Sequence, residues 1–471
     1  MRAFGRVVGC RSKSHFPVEW LEARVMFSTY LVTNLNDSGP GSLRDAISQA
    51  QATTGNVVAF DPSDFGAGAL HTISIRAGLT VAKPVTINGP GSDVVALAKV
   101  TATDPIFGVI PSGTLWLHGV SLTGAMGPAV FNQGTVTADD CRFANNSAVQ
   151  GGGIYNQGVL TVTRCTFSGN TASPGSGGGA AIANFSHAAI SGSTFLNNSG
   201  KAVYNGGTMT VTNSTFTGNS ASGSFSGGAI WDGPFNSNPA HLTVTNCTIS
   251  GNSGMNGGGI AGGGMITLNN TIVAGNIVPG TTMPSDISAN VTGSNNLVGT
   301  GESGGLVNGM NGNIVGVDDP KLGPLANNGG PTMTMALLPG SPAIDAGSNA
   351  LAVGGDGKPL LTDQRGYARI ISGTVDIGAY EAGSSQYILP GDANGDGKVD
   401  FSDLLILAQE YGHFNERNLA DFNGDGKVDF ADLLILAQNY GQSIAASPAA
   451  NDVFAATATT DLLHRPKVRR P

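Results

Sequence analysis

Two twelve-residue stretches carry the densest chemistry of the chain: DANGDGKVDFSD over 392–403 and DFNGDGKVDFAD over 421–432. Each sets oxygen-bearing side chains at positions 1, 3, 5, 9 and 12, with glycine at position 6. Several oxygens drawn together by a sharp turn suit a hard divalent cation, and the ion this spacing fits is calcium. Without an ion the carboxylates of one loop would repel one another, so binding would couple directly to folding of the segment. Each loop runs into DLLILAQxYG. That is a helix with Leu404, Leu407, Ala408 and Tyr411 on one side, repeated as Leu433, Leu436, Ala437 and Tyr440. The two halves are offset by 29 residues.

The rest of the chain is of a different kind. Of 471 residues, 71 are glycine, 12 % are charged and 6 % are aromatic. Glycine without a G-X-Y period excludes collagen, and a 40 % hydrophobic fraction disfavours disorder. Residues 390–441 hold ten carboxylates and three basic residues, so most of the net charge of −9 sits with the two loops. No basic stripe marks a nucleic-acid partner. No apolar run reaches the length of a membrane helix. The first residues hold Arg2, Arg6, Arg11 and Lys13 but no apolar stretch of secretory type, which alone leaves the cytoplasm as the default.

The body must be built by a repeat. A β-type run closes on asparagine in GTVTADDCRFANN, GVLTVTRCTFSGN, GTMTVTNSTFTGN and AHLTVTNCTISGN, with weaker copies between. A glycine-rich half follows, as in GGGIYNQG and GGAIWDG. The closing asparagines fall at 146, 170, 198, 219, 252 and 276. Steps of this length with period-two alternation describe rungs of a solenoid. The fold class expected is mainly β: a right-handed parallel β-helix, followed by a small α-helical module with paired EF-hand-like loops. The asparagines would form an amide ladder, and Phe143, Phe167, Phe195 and Phe216 a core column. Cys141, Cys165 and Cys247 share a phase with Ser193 and Ser214, which favours small buried side chains over a bridge. Ser42 to Ala50 reads as a capped helix, with Leu43, Ala46, Ile47 and Ala50 on one face, covering the first strand edges.

These residues carry several resemblances. NLNDSGPGSLRDAISQAQ with the rungs after it resembles bacterial right-handed parallel β-helix surface proteins. DPKLGPLANNGGPTMTMALLPGSPAIDAG, TDQRGYARI and VDIGAYE resemble the choice-of-anchor Q module, which in its family closes a β-helix. VEWLEARVMFS resembles the LEPR-type start of planctomycete exported proteins, with Ala23 in place of the usual proline, and implies an extracellular or cell-surface location. The twin loops resemble a type I dockerin. That resemblance implies two calcium ions. One would be held by Asp392, Asn394, Asp396, Asp400 and Asp403 with the carbonyl of Lys398. The other would be held by Asp421, Asn423, Asp425, Asp429 and Asp432 with the carbonyl of Lys427. It also implies a cohesin-like or cell-surface partner, although Phe401-Ser402 and Phe430-Ala431 stand where cellulosomal dockerins carry small hydroxyl residues. The organisation expected is an export segment at 1–28, the β-helix at 29–317 and the anchor-like module at 318–383. A linker at 384–390, the dockerin at 391–441 and a flexible tail at 442–471 complete it.

A β-helix with a dockerin invites a polysaccharide lyase or glycosidase reading. Between Cys141 and Ser285 the sequence offers one carboxylate, Asp232, too few for a glycosidase pair. Asp139 and Asp140 could join Asp104 from another rung. Trp116, Tyr155, Tyr204 and Trp231 could stack on sugars. The expectation is a non-catalytic protein with no catalytic residues assigned, serving adhesion or glycan and partner binding. A polysaccharide-degrading enzyme or a structural envelope component is the alternative.

Overall fold

The computed structural model describes residues 28–52, 56–100, 103–173, 178–222, 227–234, 239–384, 389–393, 398–412, 420–423 and 427–442. The export-like segment and the tail after Gln442 lie outside them. Three parallel sheets wind around a common core. Sheet A and sheet B have eleven strands each and sheet C has eight, every strand pairing with its equivalent one rung away. Rung-to-rung register in sheet A runs His118 to Asp139 to Thr163 and onward without a slip.

Side-chain ladders hold the rungs in phase. In sheet B the rings of Phe143, Phe167, Phe195 and Phe216 stack at 4.7, 4.9 and 4.4 Å and within 3° of parallel. All four are fully buried. The expected asparagine ladder is present, with each Nδ2 donating to the next Oδ1 from Asn146 through Asn170, Asn198, Asn219 and Asn252 to Asn276 at 2.8–3.0 Å. Cys141, Cys165 and Cys247 are free and buried. Their column is more than apolar filling. The Cys141 N–H donates to Cys165 Sγ, the Cys165 N–H to Ser193 Oγ and the Ser193 N–H to Ser214 Oγ. Sulfur and hydroxyl alternate because both can accept from the backbone of the preceding rung.

Helix α1 (Leu43–Ala52) caps the first strands, as its pattern predicts. Ser42 Oγ accepts from the Asp45 N–H, and Asp45 Oδ2 accepts from Gly41. After the last sheet B strand, Ile314–Val317, the chain forms an antiparallel hairpin of Leu322–Ala326 and Thr334–Leu337. It then runs back along the flank of the solenoid. Some contacts reach sheet B threonines, as Thr194 Oγ1 to the Met333 carbonyl, and a regular set falls on one corner column of residues with positive φ. Thr332 Oγ1 donates to the Gly192 carbonyl, Asn213 to Thr362, Asn246 to Asp376, Asn270 to Ser348 and Asn295 to Ala346. Asparagine suits this column twice over, since it tolerates the left-handed region and carries an amide that reaches outward.

Inside the flanking segment, charge is paired internally. Arg365 holds Asp363 at 2.6 Å and lies 3.6 Å above the Tyr380 ring. Arg369, fully buried and unremarked in the sequence, donates to the Asp376 and Gly378 carbonyls and sits 3.9 Å from Glu381. Asp376 and Glu381 in turn accept backbone N–H groups. Asp363, Arg365, Asp376 and Glu381 therefore serve this segment's own packing.

Candidate functional site

Helices α2 (Phe401–Glu410) and α3 (Phe430–Asn439) follow the two loops and share a small core of Leu389, Val399, Leu407, Ala420, Val428 and Leu436. The last carboxylate of each loop is fully buried and closes it. Asp403 Oδ1 accepts from Ala393 and Oδ2 from Asp400, joining the start of the loop to its end. Asp432 repeats this with Phe422, Asn423 and Asp429. Asp400 and Asp429 cap the helices reciprocally. Asp392 is also buried. An all-oxygen donor set with buried carboxylates fits a hard cation such as calcium. Asp392, Lys398, Asp400, Asp403, Asp421, Asn423, Lys427, Asp429 and Asp432 belong to the described residues, while Asn394, Asp396 and Asp425 lie outside them. Phe401 and Phe430, each 67 % exposed, occupy matching places at the two helix starts.

On the solenoid, Asp139 and Asp140 do not meet Asp104, which pairs with Lys99 at 3.0 Å and accepts from Gly78. They meet His118 and Arg164, from the rungs on either side. Arg164 Nη2 lies 2.6 Å from Asp139 Oδ2 and its Nε 3.3 Å from Asp140 Oδ2. His118 Nδ1 lies 3.1 Å from the same Asp139 oxygen. Asp139 Oδ1 is buried without a hydrogen-bond partner. The hydrogen bond to Asp139 raises the His118 pKa, and burial raises that of Asp140. A cleft of about 330 Å³ is lined by His118, Asp140 and Arg164 of this set. Among the described residues, His118, Asp139 and Asp140 bring three candidate ligand atoms within 4.8 Å of one another. The sequence hid this set because it unites residues 21 and 25 apart, whose meeting depends on unequal rung lengths.

The aromatic candidates divide between two faces. Trp116 stands on the outer face of sheet A, 40 % exposed. Tyr155, Tyr204 and Trp231 belong to sheet C. There Phe131, Tyr155, Phe185 and Tyr204 form a partly buried row with ring spacings of 5.2, 5.0 and 5.4 Å. Lys201 Nζ sits 4.7 Å from the Trp231 ring, and burial lowers its pKa to about 8.

Asp232 is the end of a ladder of amides. Asn132, Asn156, Asn184 and Asn205 donate in series at 2.7–2.8 Å, and Asn205 donates to Asp232 Oδ1 at 2.6 Å. The sequence carries this second ladder in FNQG, YNQG, YNGG and WDG, where an asparagine or aspartate follows the aromatic. The Asn146 ladder ends likewise, Asn276 donating to Asp286 Oδ1 at 2.9 Å. A chain of amides aligned head to tail needs a final acceptor, and a carboxylate supplies one.

Burial raises the Asp232 pKa to about 7, and Oδ2 has no partner. The folded state therefore holds a proton that the unfolded state releases near pH 4, at the ordinary aspartate value. Stability is highest below that value and falls as pH rises to about 7. The loss is at most roughly 4 kcal/mol. Asp286, raised by burial too, adds a slope of the same sign. Denaturant midpoints at pH 5 should exceed those at pH 8, and Asp232→Asn should flatten the difference. A variant with the native slope would show that Asp232 is ionised throughout.

Residues 390–440 match the dockerin type I domain family, and residues 117–238 match the right handed beta helix region. The chain is thus a mainly β solenoid that carries a dockerin type I domain at its C-terminal side, a combination that supports a cell-surface or cellulosome-type protein. Dockerin type I domains typically bind calcium, dockerins bind cohesin partners, and dockerin-bearing β-helix proteins are typically extracellular or on the cell surface. Among the described residues no helix is long and apolar enough to cross a membrane.

No curated protein matches the chain. Among solved structures it is similar to the A-module of the mannuronan C-5 epimerase AlgE6 of Azotobacter vinelandii. The identity is 16 %, 61 % of this chain and 94 % of that one are covered, and the TM-score is 0.35. The AlgE4 A-module of the same organism gives 13 %, 56 %, 72 % and 0.34. ORF18 of Geobacillus virus E2 gives 12 %, 57 %, 61 % and 0.29.

Proposed function

We propose that this is an extracellular or cell-surface β-helix protein that attaches through its dockerin to a cohesin-like partner and presents the solenoid for adhesion to glycan. The observation carrying this is the dockerin itself: two loops of oxygen ligands, each closed by a buried aspartate and each followed by a helix with an exposed phenylalanine at its start. Two calcium ions, one per loop, hold the helices in place for the partner. The choice-of-anchor resemblance over 318–383 and the LEPR-like start agree with display outside the cell. Immobilised cohesin modules should capture the calcium-loaded chain saturably, and chelation should release it. Phe401→Asp with Phe430→Asp should weaken capture at least tenfold, both sites being changed because either helix could face the partner. Capture that survives chelation, or a broad cohesin panel that binds nothing, contradicts the attachment.

The neighbouring carboxylates of Asp139 and Asp140, the latter lining the cleft, favour a second reading, a polysaccharide-degrading enzyme. Against it, both carboxylates are held by the one guanidinium of Arg164, which leaves no pair free to flank a glycosidic bond. A polysaccharide panel yielding new reducing or unsaturated ends would reverse this preference.

A further inference from the structure

The positive-φ corner column changes character where it emerges from the flanking segment. From Gly192 to Asn295 it is built of glycine and asparagine and is hydrogen-bonded to the segment, Gly192 accepting from Thr332 and the asparagines donating. One rung before Gly192 that cover stops, with Pro331 at the margin of the cleft. The three rungs beyond carry Gly119, Asp140 and Arg164 at φ 61, 50 and 51°. Arginine is out of place here. It has no short polar side chain to stabilise the left-handed backbone, and strain of this kind gathers at functional sites.

The groups offered are balanced. Arg164 already occupies the place of a cation among the carboxylates, which argues against a metal. His118 is held through Nδ1, which leaves Nε2 for the cleft. Asp93 and Asp140 on the cleft wall face His118 and Arg164. Fixed acceptors interleaved with fixed donors suit hydroxyl groups, and two carboxylates oppose phosphate or sulfate. The volume of about 330 Å³ lies at the lower end for small-ligand sites. Trp116 is two residues before His118 on the strand Thr114–His118, so both point outward, about 7 Å apart. An exposed indole face beside hydroxyl-binding groups is what the two sides of a pyranose ring require.

We infer that this cleft, with Trp116 beside it, binds a neutral saccharide at the edge of the flanking segment. The inference rests on the glycan-contact reading above and gives it a place. The test is calorimetric titration of the calcium-loaded full chain with a panel of neutral and acidic oligosaccharides. A neutral member should bind saturably. Trp116→Ala and Asp140→Asn, the latter a change the left-handed corner accepts, should each weaken binding tenfold or more, with thermal unfolding unchanged. Trp231→Ala, on sheet C, should leave binding intact. Binding lost in Trp231→Ala but kept in the other two overturns this site and leaves the glycan reading standing. Binding confined to acidic members overturns the site's chemistry. If no saccharide binds a chain whose dockerin still captures its partner, the site and the glycan reading both fall while attachment survives.

Discussion

Removing calcium from the intact chain is expected to unfold residues 390–440 and leave the solenoid standing. The dockerin's apolar core is small: among the described residues six are buried, and three of these are no larger than valine, Val399, Ala420 and Val428. Modules of this size rarely stand on hydrophobic burial alone and commonly depend on a metal or disulfide. Here Asp392, Asp403 and Asp432 are buried carboxylates that gain from a nearby cation and repel their loop neighbours without one. Each ion at about a thousandfold excess over its dissociation constant adds roughly 4 kcal/mol, so losing two should exceed what the core retains. The helical far-UV signal should fall on chelation and return with calcium, and calorimetry should count two ions per chain. Asp403→Ala should remove one ion and loosen both ends of its loop, because that side chain joins Ala393 to Asp400. The solenoid's own unfolding transition should not move. A helical signal indifferent to chelation, or no calcium uptake, would end the calcium assignment.

The contrast between these parts explains what the sequence could disclose. Wherever one residue type recurs at one phase of the repeat, stacking is already implied: the asparagine ladder, the phenylalanine column and the α1 cap all occur where the pattern puts them. The dockerin was legible for a related reason, since each of its two sets of candidate ligands lies within one short loop. What escaped were features made by residues of different type brought together at a distance. His118, Asp139 and Arg164 meet only once rungs of unequal length are laid in register. Asp232 looked like a lone acid in a neutral solenoid, whereas it ends a ladder of amides. The course of 318–383 along the flank depends on bonds such as Thr215 to Gln364, 149 residues apart, and no local pattern announces a surface complementary to a corner.

Asn198→Ala should be among the costliest single changes in the solenoid. The residue lies midway in its ladder and uses its whole amide. Oδ1 accepts from the backbone N–H and the Nδ2 of Asn170, both at 3.0 Å. Nδ2 donates to the Phe167 carbonyl at 3.0 Å and to Asn219 Oδ1 at 2.8 Å. Alanine leaves the Asn170 N–H and the Phe167 carbonyl without these partners in a buried corner, and cuts the ladder in two. Each buried polar group so stranded costs about 1–3 kcal/mol, which gives a loss of roughly 3–5 kcal/mol once the broken ladder contact is included. Aspartate would do no better, because its second oxygen would face the Phe167 carbonyl. The neighbouring Asn197 is the control. It is exposed and serves its position by adopting φ 52°, so Asn197→Ala should cost only about 1 kcal/mol, the strain of a left-handed alanine. Denaturant midpoints read the two losses. Hydrogen exchange should also rise for amides on the rungs of Asn170, Asn198 and Asn219 in the Asn198 variant, because a solenoid rung touches only its neighbours. Equal losses at 197 and 198 would mean that backbone conformation, and not the amide ladder, holds this corner.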